Sequence, residues 1–225
     1  GLDAVWAIRG GYGTMRLLQH LDLSRWQARP RAFIGFSDST AVHLALHARG
    51  VVSYHGPHAG GDSTPLAEAW MRRVLFDDAP AGVLPLPEPD GVRLICGGVA
   101  EGPLIGGNLA LLAAMCGTAM APVARGAILF VEEVSEPAYR IDRAWTQLLL
   151  SGALAGVAGI AFGRFTECGD EVGELLPRLA LPLGVPAVAG LPIGHEPDNM
   201  TIPLGIRARL DGGRGTLELL EAAVS

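Results

Sequence analysis

The chain is poor in charge, in cysteine and in long apolar runs, and each shortage removes a class of protein. Only 18% of its 225 residues are charged, and the formal net charge is −6. No run of Lys or Arg offers a footprint for nucleic acid or an anionic membrane, so neither is expected as a partner. Apolar stretches such as "AVAGLPIG" are short and broken by Gly and Pro, which excludes them as membrane spans. The three cysteines, Cys96, Cys116 and Cys168, are far apart and odd in number, which points to a reducing compartment more than to a disulfide framework. There is no internal repeat and no low-complexity segment. What is present is 49% hydrophobic residues, enough for one large or two modest globular domains. Gly1 leads straight into what reads as a strand, so a preceding segment is expected and the lack of a signal peptide proves little.

"DAVWAI" (Asp3 to Ile8) and "RAFIGF" (Arg31 to Phe36) are short apolar runs of the kind buried strands use. Gly10-Gly11-Tyr12-Gly13 breaks the first run, and "TMRLLQHLD" follows with apolar residues at helical spacing. The order strand, Gly-rich turn, helix, strand, helix predicts a parallel sheet of βαβ units, with "VVSY" (Val51 to Tyr54) as a third strand. Pro80, Pro85, Pro87 and Pro89 mark an extended connector. The expected division is therefore residues 1–80, a connector over 81–93, and a second domain over 94–225. In that second part Asn108 opens an apolar helix, Leu109 to Met115, with Gly117 as its stop. "GAILFVEEV" reads as a buried strand ending in paired acids, "AYRIDRAWTQLLLSGAL" as a helix and "VAGIAFGRF" as a strand. "VPAVAG", "TIPLGIRARLD" and "GTLELLE" form a strand-rich tail, with Gly212-Gly213 as a hairpin turn.

Ser37 interrupts the apolar run at Gly35-Phe36-Ser37-Asp38-Ser39. A serine at a strand-to-helix seam is either a helix cap, a role Asp38 or Ser39 could share, or a nucleophile presented at a sharp turn. The last glycine of the Gly-x-Ser-x-Gly elbow is missing, so the run alone does not decide. A nucleophile needs a base. His43 and His47 stand i, i+4 on a helix, a spacing that can hold a metal, but the helix is otherwise apolar and carries no HExxH pattern, which favours ordinary core or surface histidines. Metal is therefore not expected, and chelation should leave any activity unchanged. His55 and His58 in "YHGPHAG" lie in a turn-rich loop that could line a cleft, and His195 in "GHEPDN" is a loop histidine suited to general-base work. The orienting acid would come from Glu132 or Glu133. Successive strand residues face opposite ways, so one could face a cleft while the other meets solvent or pairs with Arg140 or Arg143.

Taken together, "RGGYG", "IGFSDSTAVHLAL", "HGP", "EGPLIGGNLALL", "ILFVEEVSEPAYRIDR" and "GHEPDNMTIPLG" resemble the LD-carboxypeptidase family of serine peptidases, the murein tetrapeptide carboxypeptidase and microcin-immunity group. The resemblance runs through nearly the whole chain. It implies an α/β protein with a Rossmann-like N-terminal domain, lacking its first segment here, and a strand-rich C-terminal α/β domain. It places the nucleophile on Ser37, the acid on Glu132 and the base on His195. Its oxyanion donors would be backbone N–H groups of Asp38 and of the Gly10-Gly11 turn. Glu133 stands where the family usually has Asp. Family members also carry a further opening strand and helix before the "RGGYG" motif. The implied activity is removal of the terminal D-Ala from a murein tetrapeptide in the cytoplasm, with no cofactor and a homodimer as the expected assembly. Two alternatives stand beside it: cleavage of a microcin-type peptidyl-nucleotide, and a non-catalytic α/β module whose Gly10–Gly13 turn cradles an anion.

Overall fold

The computed structural model describes residues 2–88 and 91–224. It is a mixed α/β protein built on two sheets. The smaller has four strands in the order β1 (Ala4–Trp6), β2 (Ala32–Gly35), β3 (Ser53–His55) and β10 (Ile202–Leu204). The first three are parallel, as the repeated strand-then-helix order predicts. Strand β3 starts later than Val51, because the Val51 N–H still bonds Leu46 O and closes the preceding helix at 3.1 Å. That helix, α3 (Thr40–His47), is buried from Thr40 to Leu46. A helix packed on all sides needs no polar face, which is why its sequence shows so little amphipathic contrast.

The larger sheet has eight strands, in the order β4 (Gly82–Val83), β12 (Thr216–Leu219), β11 (Arg207–Asp211), β6 (Val99–Asn108), β7 (Ile128–Val134), β8 (Gly159–Thr166), β9 (Ala187–Ala189) and β5 (Arg93–Cys96). Strands β6 to β9 are parallel, and the flanking pairs are antiparallel. Strands β5 and β6 escape a reading by propensity. The "GPLIGGN" end of β6 is rich in Gly and Pro, yet β11 pairs along Val99–Pro103 and β7 along Leu104–Asn108, and this pairing overrides the local preference. The helical spacing of "TMRLLQHLD" yields α1 (Thr14–Leu17), but three helices lack such a signal: α2 (Ser24–Ala28), α4 (Pro65–Phe76), capped by Thr64 with Pro at its start, and α7 (Val172–Ala180), which holds Pro177. The expected connector is partly sheet, since β4 falls within it; Pro89 and Asp90 lie outside the described residues. "TIPLGIRARLD" is two strands in two sheets: β10 joins the small sheet beside β3, and β11 joins the large one. The C-terminal half thereby completes the N-terminal sheet. Gly212 and Gly213 do lie in the β11–β12 loop, where Asp211 Oδ1 accepts from the N–H groups of Gly213 and Arg214 at 2.9 Å. All three cysteines are free.

Strand β7 shows how the core divides. Leu129 and Val131 pack into one apolar cluster with α3, α5 (Leu109–Ala114) and α6 (Ala138–Leu150). Ile128 and Phe130 pack into the other, with Ile34, Tyr54, Ile202 and Leu210. Alternation then sends Glu132 to the second face and Glu133 to the first.

Candidate active site

Ser37 is separated from the end of β2 by Phe36 alone and takes φ +61, a left-handed conformation rare for a residue with a Cβ. No side chain among Ser37, Asp38 and Ser39 caps the helix that follows, so capping does not explain the serine. The turn is held from two sides. His43 Nε2 lies 2.8 Å from Gly35 O and must donate to it, so Nδ1 accepts from Ser53 Oγ, also at 2.8 Å. Asp38 Oδ2 accepts from Thr14 N at 2.8 Å and Thr14 Oγ1 at 2.5 Å, tying the glycine-rich loop to the serine turn. Gly10 is the contact between them. A Cβ there would stand 3.1 Å from Ser37 Cβ, 3.3 Å from Ser37 Oγ and 3.1 Å from His58 Cε1. Glycine lets the backbone come that close. Gly11 follows at the next position of the same loop.

Glu132 is fully buried, and its Oε2 accepts from His195 Nδ1 at 2.7 Å. Its Oε1 faces His55 Nε2 at 3.9 Å. Burial opposes the charge, but the hydrogen bond from His195 and the facing His55 more than offset it, holding the carboxyl below the usual glutamate range. His195 is presented by the loop after β9. Gly194 before it has φ +142, and a Cβ there would sit 3.3 Å from Glu132 Oε2. The loop is pinned by Gly194 N–H to Asn199 Oδ1 at 3.0 Å and by Arg164 N–H to Ile193 O at 2.8 Å. Beside it, the β7–β8 register slips between Val131 and Glu133, leaving an extra residue in β8. Such bulges re-aim the chain next to functional groups.

Phe36 joins the two halves of the site. Its ring meets His195 edge-on, centroids 4.7 Å apart, and stacks on His58 at 4.2 Å. Glu132 and His195 are thus in direct contact, and Ser37 is one residue from the ring that touches His195. No Ser37–His195 hydrogen bond is formed among the described residues. With Glu132 accepting from Nδ1–H, the Nε2 lone pair is left to act as a base. Burial, assisted by the neighbouring His195 and His55, holds the His58 imidazole below its usual range, against a Phe36 backbone hydrogen bond that works the other way.

Two expectations change, for Glu133 and for His55. Glu133 is neither solvated nor paired with arginine. It is buried, with Oε1 accepting from Asn108 Nδ2 at 2.7 Å and Val134 N at 2.9 Å, and Oε2 from Ala110 N at 2.8 Å. Burial still leads, and its pKa is raised. Arg140 pairs instead with Glu136, and Arg143 lies over the Tyr139 ring. His43 and His47 do not form a ligand pair. Both His43 nitrogens are used inside the fold, and burial pushes its pKa down to about 3. His55 is more deeply involved than its loop position in the sequence indicated, and the "HGP" motif was the available signal. A cavity of about 950 Å³ opens beside the small sheet near Trp6, Tyr54 and His58, but none of Ser37, Glu132 or His195 lines it. Among the described residues, no helix is long and apolar enough to cross a membrane.

A serine at a strained strand-to-helix turn, near a buried acid–histidine pair, has the parts of a Ser–His–acid hydrolase centre. The chain belongs to the LD-carboxypeptidase family: residues 1–56 match the LD-carboxypeptidase N-terminal domain and residues 101–210 the C-terminal domain. It is 43% identical to a putative carboxypeptidase of Streptomyces coelicolor, over 97% of this chain and 72% of that protein. It is 39% identical to the murein tetrapeptide carboxypeptidase of Pseudomonas aeruginosa, over 95% of this chain and 74% of that one. The crystal structure of muramoyltetrapeptide carboxypeptidase from Oxalobacter formigenes superposes with a TM-score of 0.83 at 34% identity, covering 97% of this chain and 78% of that one. The microcin C7 self-immunity protein MccF, wild type and ligand-free, gives 0.87 at 24% identity, covering 100% and 77%, a likeness of fold alone.

Proposed function

We propose that the chain is a serine-type LD-carboxypeptidase that removes the terminal D-Ala from a murein tetrapeptide, at the bond to the L-centre of diaminopimelate. The observation that carries this reading is the 2.7 Å Glu132–His195 pair beside the left-handed turn of Ser37. The names of the relatives supply the substrate class. In this mechanism Ser37 Oγ attacks the scissile carbonyl while His195 Nε2 takes its proton. Glu132 stabilises the imidazolium that forms. The oxyanion is received by backbone N–H groups of Asp38 and of the Gly10-Gly11 turn. His195 then returns the proton to the departing amine of D-Ala, leaving an acyl-enzyme on Ser37. Water, activated by the same imidazole, releases the tripeptide.

Mass spectrometry of L-Ala-D-Glu-diaminopimelate-D-Ala incubated with the protein tests the reading. Loss of one alanine is expected, and Ser37→Ala should abolish it with the circular dichroism unchanged. An intact tetrapeptide would overturn the substrate, and parental turnover by Ser37→Ala would overturn the nucleophile.

A further inference from the structure

Glu132 is gripped on one oxygen, and its other oxygen faces a second histidine. His55 ends β3, wholly buried, and neither ring nitrogen has a hydrogen-bond partner. Glu132 Oε1 is equally buried and equally unpartnered, 3.9 Å from His55 Nε2. The gap is about 1 Å longer than an N–H···O bond, within reach of a small rotation of either side chain. Two buried polar groups that face each other without other partners satisfy one another at little cost.

We propose that His55 is a positioning residue for Glu132: its Nε2–H donates to Oε1 while His195 Nδ1–H donates to Oε2. Two imidazoles then fix the plane of one carboxylate, and so the aim of the His195 ring. The assignment rests on the Ser37–His195–Glu132 reading above. The aromatic edges of Phe130 and Phe36, at centroid distances of 4.8 and 5.8 Å, hold the His55 ring in place. The titratable groups around it are Glu132 from β7, His43 from α3 at a ring distance of 6.3 Å, and His58 and His195 from the loops. Ile202, its partner on β10, brings no charge. Glu133 belongs to the opposite face. His43 is neutral and spends both nitrogens elsewhere, which leaves His55 as the donor facing Oε1.

A donor on Oε1 stabilises the charged Glu132 carboxylate against protonation. Removing it should move the acid limb of reactivity to higher pH. The readout is the rate at which a fluorophosphonate labels Ser37, followed by intact mass against pH; Ser37 Oγ displaces fluoride, and no peptide is needed. We expect His55→Leu to label about 10-fold more slowly, with the acid limb about half a pH unit or more higher. His55→Gln, whose amide nitrogen falls near the Nε2 position, should restore both. A folded His55→Leu with the parental rate and limb overturns the proposal. If His55→Leu does not fold, Gln is compared with Asn, whose nitrogen falls near Nδ1: a parental profile for Gln and a shifted one for Asn supports it, and identical profiles overturn it. A parent chain that is not labelled overturns the triad and His55 with it, whereas a labelled chain that leaves the tetrapeptide intact overturns only the substrate.

Discussion

The two faces of β7 end in the same residue type, Glu132 on one and Glu133 on the other, and both side chains are buried. Glu132 meets imidazoles, and its proton affinity falls. Glu133 meets a side-chain amide, the Ala110 N–H at the start of α5 and the Val134 N–H of its own strand, and burial raises its proton affinity. Both carboxylates are well placed for donors, so hydrogen bonding alone does not separate them. The difference lies in what else their partners can do. An imidazole can accept a proton and pass it on; a backbone N–H and an amide can only hold. One face of the strand end is therefore fit for proton transfer, and the other fastens α5 and Asn108 to the sheet.

The largest expected effect lies in turnover. Glu132→Gln keeps the size but removes the charge that stabilises imidazolium, and should reduce turnover by about 10²-fold or more. Glu133→Gln should leave turnover within a few-fold of the parent. Steady-state kinetics on both variants decides; a crippled Glu133→Gln with intact Glu132→Gln would invert the comparison.

A smaller effect lies in stability. Either oxygen of Glu133 faces N–H donors, so an amide there sets a donor against a donor. Glu133→Gln should cost ~1–3 kcal/mol in denaturant unfolding. Its pH dependence sharpens the contrast. The folded pKa of Glu133 is raised, so its contribution is greatest below the ordinary glutamate value and is lost as pH rises through the folded one. The folded pKa of Glu132 is lowered, so its contribution is complete above the ordinary value and is lost as pH falls through the folded one. The stability deficit of Glu133→Gln should therefore shrink with rising pH, and that of Glu132→Gln should shrink with falling pH. Deficits that run parallel would break the distinction.

The finest test is direct titration of the two carboxyl carbons by NMR. Glu132 should titrate below an ordinary glutamate and Glu133 above it. The reverse order would mean that the imidazoles do not set the charge of Glu132.

Much of this was legible in the chain because it is local. The apolar run that stops at Gly35-Phe36-Ser37 announces a strand-to-helix turn, and Asn108 before Leu109 announces a cap, which its side chain supplies to Leu111 N at 3.2 Å. Alternation along "AILFVEE" requires the two acids to part, and the family motifs selected Glu132 as the one to meet His195. The failures are equally specific. The Gly-rich end of β6 gives no strand signal, and β10 reads as continuous with β11, because strand pairing is decided by neighbours distant in sequence.

By itself, then, the sequence determined the order of strands around the glycine-rich loop, the serine seam and the opposition of Glu132 to Glu133. Those follow from backbone sterics and from side-chain periods of two and 3.6, which act between adjacent residues. Only the tertiary structure decided that Glu133 is buried under α5 and not solvated, that β10 crosses to the small sheet, and that His55 faces Glu132. A buried polar group must take its partner from whatever packing brings against it, and here those partners arrive from strands and helices far away along the chain.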